Sequence, residues 1–195
     1  MNELPFKIAT GILLLMQAVT RARYRKVRET VRRGSIRHEG RERVIYVLVS
    51  VAWVVVVLYP VTSWLDRFHI PIPGWIRWVG SGILLIGNLL FWWSHAALGR
   101  NWSPVTEIRV GHQLVTSGPY RYIRHPMYAA FFLAGIGLSL LTANWVVACA
   151  YLGSVTLMYV LRVSSEEEMM LEQFGDAYRD YMDRTGRLVP RLYKK

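Results

Sequence analysis

Thirty-five consecutive residues, 127–161, contain no Lys, Arg, Asp or Glu. About 20 apolar residues at 1.5 Å each match a ~30 Å hydrocarbon core. The run is therefore read as two apolar helices, 127–141 and 145–161, joined in a tight hairpin by Thr142-Ala143-Asn144. A hairpin of this kind leaves one face of a bilayer and returns to it. The polar stretches at its two ends, 112–128 and 162–168, are thereby expected at one site.

The rest of the chain follows the same pattern. Residues 5–20 form a marginal first span, with Lys7 near its outer end free to snorkel. No small-x-small cleavage site follows it, and its basic cluster comes after the apolar stretch, so it is read as an uncleaved span. Val44 to Leu65 is uncharged, with Pro60 expected to bend its outer end. Asp66 to Arg77 reads as a short loop, with Trp75 and Trp78 fitting an interfacial belt. Trp78 to Leu98 is the third span, and its Gly80, Gly82 and Gly87 let a neighbouring backbone come close. Asn88 and His95 are its polar members, read either as hydrogen-bonding across helices or as lining a site. The fold class is an all-α integral membrane protein with about five transmembrane helices. Its pocket is formed by the loop before span 4 and the C-terminal helical tail.

Charge orients the spans. Residues 21–43 hold ten Lys/Arg against three Glu, and the loops carry in order ten, two, four and zero basic residues, with seven on the tail. Basic loops stay in the cytoplasm, which puts the N-terminus outside and the C-terminus in the cytosol. A net charge of +11 is compatible with nucleic-acid binding, but the bases crowd beside apolar runs. Stacking aromatics are also missing from 21–43, where only Tyr24 stands. No nucleic-acid partner is expected; membrane lipids are, because such a basic segment also attracts anionic head groups. The single Cys149 allows no intrachain disulfide.

Reactive groups are few. No G-x-S-x-G, H-E-x-x-H or G-x-G-x-x-G occurs, and His112 and His125 lack nearby carboxylate or thiol co-ligands, so no metal is expected. What remains is a Ser117-Gly118-Pro119-Tyr120 turn, a rigid Arg124-His125-Pro126 lead into a helix, and Arg162 with Glu166 at i, i+4. That last pair shares a helix face. It reads either as an intrahelical salt bridge or as two separate tools. In the second case Glu166 takes a cation and Arg162 grips a carboxylate or phosphate in bidentate fashion.

Taken in order, these elements resemble one family. They run His112-x-Leu114-Val115-Thr116-Ser117-Gly118-Pro119-Tyr120, then Arg124-His125-Pro126-x-Tyr128, then a double apolar helix. Arg162-x-x-x-Glu166-Glu167 and Phe174-Gly175-x-x-Tyr178-x-x-Tyr181 complete the series. The combination, over about residues 100–192, is similar to the isoprenylcysteine carboxyl methyltransferases, and the phospholipid methyltransferases share much of it.

The resemblance implies a multi-pass enzyme of the plasma membrane or endoplasmic reticulum. It would use S-adenosylmethionine to esterify the C-terminal carboxylate of a prenylated cysteine arriving from the bilayer. Residues 1–98 would supply spans 1–3 and residues 99–195 the catalytic region. By position, His112, Gln113, Leu114, Val115, Tyr120, His125, Pro126, Met127 and Tyr128 would line the cofactor pocket. Glu166 would contact the cofactor and Arg162 the substrate carboxylate. Phospholipid N-methylation in the same pocket, and a non-catalytic membrane scaffold, are the alternatives.

Overall fold

The computed structural model describes residues 2–29, 39–99 and 113–191. Among them the chain is helical, without strands. Five long helices are α1 (Leu4–Glu29), α2 (Glu39–Val61), α3 (Gly74–Leu98), α4 (Pro126–Thr142) and α5 (Trp145–Phe174), followed by the short α6 (Asp176–Arg184). Three helical stretches are long and apolar enough to cross a membrane: Gly40–Val61, Gly74–Leu98 and Trp145–Phe174. The apolar α4 is shorter.

Several boundaries differ from those read in the sequence. α1 continues through the basic stretch to Glu29, and α5 runs unbroken past Leu161 to Phe174. Charged residues end an apolar run without ending a helix, since Arg, Lys and Glu are themselves good helix formers. α3 begins at Gly74, so Arg77 is helical and not part of a loop. Pro60 lies inside the last turn of α2, which stops at Val61. Gly175, at φ +52°, caps α5 and precedes α6, whose first residue is Asp176.

α3 and α4 form the closest pair in the bundle, and the cause is the absence of side chains. A Cβ on Gly137 would lie 2.3 Å from the Leu84 nitrogen, and one on Gly87 2.8 Å from the Ala134 nitrogen. Gly80 meets Leu140 and Leu141 in the same way. Of the three glycines expected to act so, Gly82 does not: nothing lies within 4 Å of its added Cβ. The α4–α5 hairpin closes on Ala143 in the left-handed region (φ 47°). Asn144 then caps α5 by accepting from the Val146 and Val147 amides, each at 3.1 Å.

Helix direction alternates, which gives the bundle two polar ends. At one, Arg77 is wholly buried and donates to Glu3 through both Nη1 (2.9 Å) and Nη2 (2.7 Å). It also donates to the Leu141 carbonyl and lies over the Phe6 ring at 3.6 Å. Lys7, expected to snorkel, reaches the Thr62 carbonyl and Asp66. Trp75 and Trp78 stand largely exposed beside this end. The other end gathers the start of α2, the start of α4, the charged half of α5 and the tail.

Candidate functional site

Pro126 opens α4, with His125 as its N-cap residue. A proline there forfeits no helical hydrogen bond and pre-sets φ, so the sequence fixes where His125 stands. The 118–121 turn before it packs on the end of α3: a Cβ on Gly118 would lie 3.1 Å from that of Ala97. Tyr120 is buried in this turn, and its carbonyl accepts from Tyr181 of α6 at 2.7 Å. Burial pushes the Tyr181 phenol up to about 12, against the pull of Arg124, so it stays a donor across physiological pH. Burial likewise raises the Tyr120 phenol well above its ordinary value.

The charged half of α5 faces this region. Arg162 and Glu166 take separate partners. Tyr128 donates to Glu166 Oε1 at 2.8 Å. Arg162 grips Glu42 of α2 with both arms, Nε to Oε1 at 3.1 Å and Nη2 to Oε2 at 2.5 Å. Both side chains of that pair are more than nine-tenths buried. His125 sits between two carboxylates, Nδ1 at 3.7 Å from Glu166 Oε2 and Nε2 at 3.2 Å from Glu167 Oε1.

Glu167 is a structural knot. It accepts from Arg124 Nε at 3.1 Å and from Arg187 Nη2 at 2.6 Å, and is itself buried. Arg124 goes on to the Met182 and Thr185 carbonyls. The Arg124 and His125 amides donate to the Gly186 and Arg187 carbonyls at 2.8 and 3.0 Å. These bonds bind the tail to the lead-in of α4. A cavity of about 460 Å³ opens on the tail side, lined by Arg124, Tyr159, Met182 and 185–191.

The structure thus brings together His125, Tyr128, Arg162 and Glu166, with Tyr120 behind them. Pro126 is buried and Met127 half-buried at the start of α4. Gln113, Leu114 and Val115 lead into the turn, Gln113 exposed and the other two half-buried. His112 lies outside the described residues. Sequence reasoning missed Glu42, which stands among bases and reads as one more surface charge. It gave Glu167 a place in the motif but no partner. His95 is buried, its Nδ1 3.0 Å from the Phe91 carbonyl in the turn below.

The arrangement can hold a cationic group. Glu166 remains part-exposed with two carboxylate oxygens, flanked by Tyr128 and His125. Among the described residues, no group of three or more His, Cys, Asp or Glu lies close enough to hold a metal ion.

Residues 79–172 match the model of the isoprenylcysteine carboxyl methyltransferase family. A protein-S-isoprenylcysteine O-methyltransferase of Tribolium castaneum is 29% identical over 139 residues, 67% of this chain and 50% of the relative. An Arabidopsis thaliana protein-S-isoprenylcysteine O-methyltransferase B is 30% identical, over 60% of each chain. The nickel-cobalt-cadmium resistance protein NccN of Alcaligenes xylosoxydans xylosoxydans is 32% identical, over 59% of this chain and 53% of its own. The chain therefore spans 50–60% of the length of these curated relatives. A solved structure of the eukaryotic intramembrane Ras methyltransferase, an isoprenylcysteine carboxyl methyltransferase, superposes with a TM-score of 0.54 at 27% identity. It covers 82% of this chain and 56% of the other.

Proposed function

From a chain whose residues 79–172 match the model of the isoprenylcysteine carboxyl methyltransferase family, we propose a specific chemistry. The protein uses S-adenosylmethionine to esterify the C-terminal carboxylate of a prenylated cysteine or a similar lipophilic carboxylate. The observation that carries this reading is the two-armed hold of buried Arg162 on a carboxylate, that of Glu42. It supports a guanidinium shaped and desolvated for carboxylate recognition.

In this reading Glu166 takes the cofactor's ammonium group, with Tyr128 fixing its orientation. His112, Gln113, Leu114, Val115, Tyr120, His125, Pro126, Met127 and Tyr128 form the pocket wall. Bound there, the cofactor supplies a methyl group on a sulfonium, which passes to a carboxylate oxygen while the C–S electron pair stays on sulfur. The protein needs no general base, because a C-terminal carboxylate has a pKa of about 3.3–3.7 and is already ionised at pH 7. Arg162 contributes orientation, which is catalysis by proximity. The alternating helix ends and the basic segment 21–43 support a cytosolic face for this site.

The test is transfer of labelled methyl from S-adenosylmethionine to a farnesylated cysteine in membranes carrying the protein. Base-labile product is expected. Base-stable product would mean an amine acceptor and overturn the ester. Arg162→Ala is expected to lower turnover about 10²–10³-fold, the scale of losing one aimed electrostatic donor, and to spare cofactor binding. Glu166→Ala is expected to weaken the cofactor. Equal loss of cofactor affinity in both would overturn the division of roles.

A further inference from the structure

Arg162 and Glu42 are 120 positions apart in the chain, yet they form a bidentate ion pair buried on both sides. A buried guanidinium without an anion is strongly unfavourable, so Arg162 needs a counter-ion whenever no substrate is bound. Glu42 fills that need through the Nε and Nη2 arms, a fork that carboxylate recognition uses. Glu166, four residues along on the same helix, adds a second anion nearby. A substrate carboxylate arriving beside both would put three anions around one cation.

We propose that Glu42 is the resident counter-ion of Arg162, displaced by the substrate carboxylate and returning once that carboxylate has been esterified. The inference rests on the role given to Arg162 above.

Three features support the exchange. Glu42 lies in the first turn of α2, where the helix dipole favours a carboxylate, so its charge is tolerated when it leaves Arg162. Arg41 and Arg43 flank it in sequence and add positive charge there. Esterification, finally, removes the acceptor's charge. The ester then offers Arg162 no anion, and the return of Glu42 restores neutrality and drives the ester from the site. The exchange also confers selectivity, because a neutral lipid has no charge with which to displace Glu42.

The test uses the full chain in phospholipid nanodiscs with S-adenosylmethionine and a farnesylated cysteine carboxylate, and the matching carboxamide as an unreactive competitor. In Glu42→Gln the KM for the carboxylate is expected to fall about tenfold, equal to about 1.4 kcal/mol of competition removed. The inhibition constant of the carboxamide should not move. Glu42→Asp, which keeps the charge with a shorter reach, is expected to lower KM by a smaller factor and covers the case in which Glu42→Gln does not fold. An unchanged or raised KM with a lowered kcat, in either variant, would make Glu42 a fixed support for Arg162 and overturn the exchange. Arg162→Ala, assayed alongside, separates the two readings. Retained turnover there sinks the role of Arg162 itself, whereas lost turnover with an unmoved KM in Glu42→Gln sinks only the exchange.

Discussion

The two polar ends of the bundle hold similar groups to different purposes. At the Arg77 end, one guanidinium meets Glu3, the Tyr59 hydroxyl, two carbonyls of α4 and the face of Phe6. Four segments are pinned together there: the residue before α1, the end of α2, the start of α3 and the end of α4. At the Arg162 end, each charged group of α5 reaches a different element, Arg162 to α2, Glu166 to α4, and Glu167 to the tail and the lead-in of α4. One end concentrates its charge in a clamp; the other distributes it over several elements. Loss of a charge should accordingly be read out as stability alone at the first and as turnover together with stability at the second.

The largest test of that contrast is Arg77→Ala. It removes the main donor of part-exposed Glu3 and of the buried Leu141 carbonyl, leaving the Tyr59 hydroxyl to serve Glu3 and the Thr142 carbonyl at longer range. Breaking such a pair costs about 3–5 kcal/mol. We expect a large drop in the detergent-solubilised unfolding midpoint, with cofactor affinity of the remaining folded protein unchanged. An Arg77→Ala variant whose remaining folded protein loses cofactor affinity as Glu166→Ala does would erase the distinction between the ends. Next in size are two glycine substitutions on α3 and α4. Gly137→Ala forces a Cβ to 2.3 Å from backbone, and overpacking of this kind costs about 1–3 kcal/mol. Gly82→Ala meets nothing within 4 Å and is expected to be neutral or mildly stabilising. Equal effects at the two positions would mean that the helices do not meet where the structure puts them.

Which parts of this were legible beforehand follows from the range of the interactions. The long apolar helices, the hairpin at 142–144, the Gly80 and Gly87 contacts of α3 and the proline start of α4 are local signals, each readable within a few residues. The helix ends were not, because Arg77 and the bases of α1 look like loop or surface charge until a partner is known. Glu3 is 74 positions from Arg77, and Glu42 is 120 from Arg162. Nothing in the neighbourhood of either glutamate announces its partner, since Glu42 sits between Arg41 and Arg43, which are nearer in sequence. The Arg162/Glu166 spacing put both groups at one site but left open whether they paired with each other. Only the packing of α2 and α4 against α5 separates them.

The smallest effect comes from acid, and its sign is fixed by Glu3. The hydrogen bonds from Arg77 hold the Glu3 carboxyl below its ordinary 4.5, with partial burial working against them. A carboxyl lowered in the folded state stabilises the fold fully above its unfolded value. Below about 4.5 the unfolded chain takes up the proton first, and the stabilisation fades until the folded carboxyl protonates as well. The unfolding midpoint should therefore hold steady from pH 7 to 5 as far as this group is concerned. It should then fall more steeply in the parent than in Glu3→Gln, which starts lower and has no such proton to gain. Unfolding curves of the two proteins measured between pH 7 and 3 are expected to converge at the acid end. Parallel curves would mean that the Arg77 clamp does not depend on the charge of Glu3, and that the two ends differ less than their geometry says.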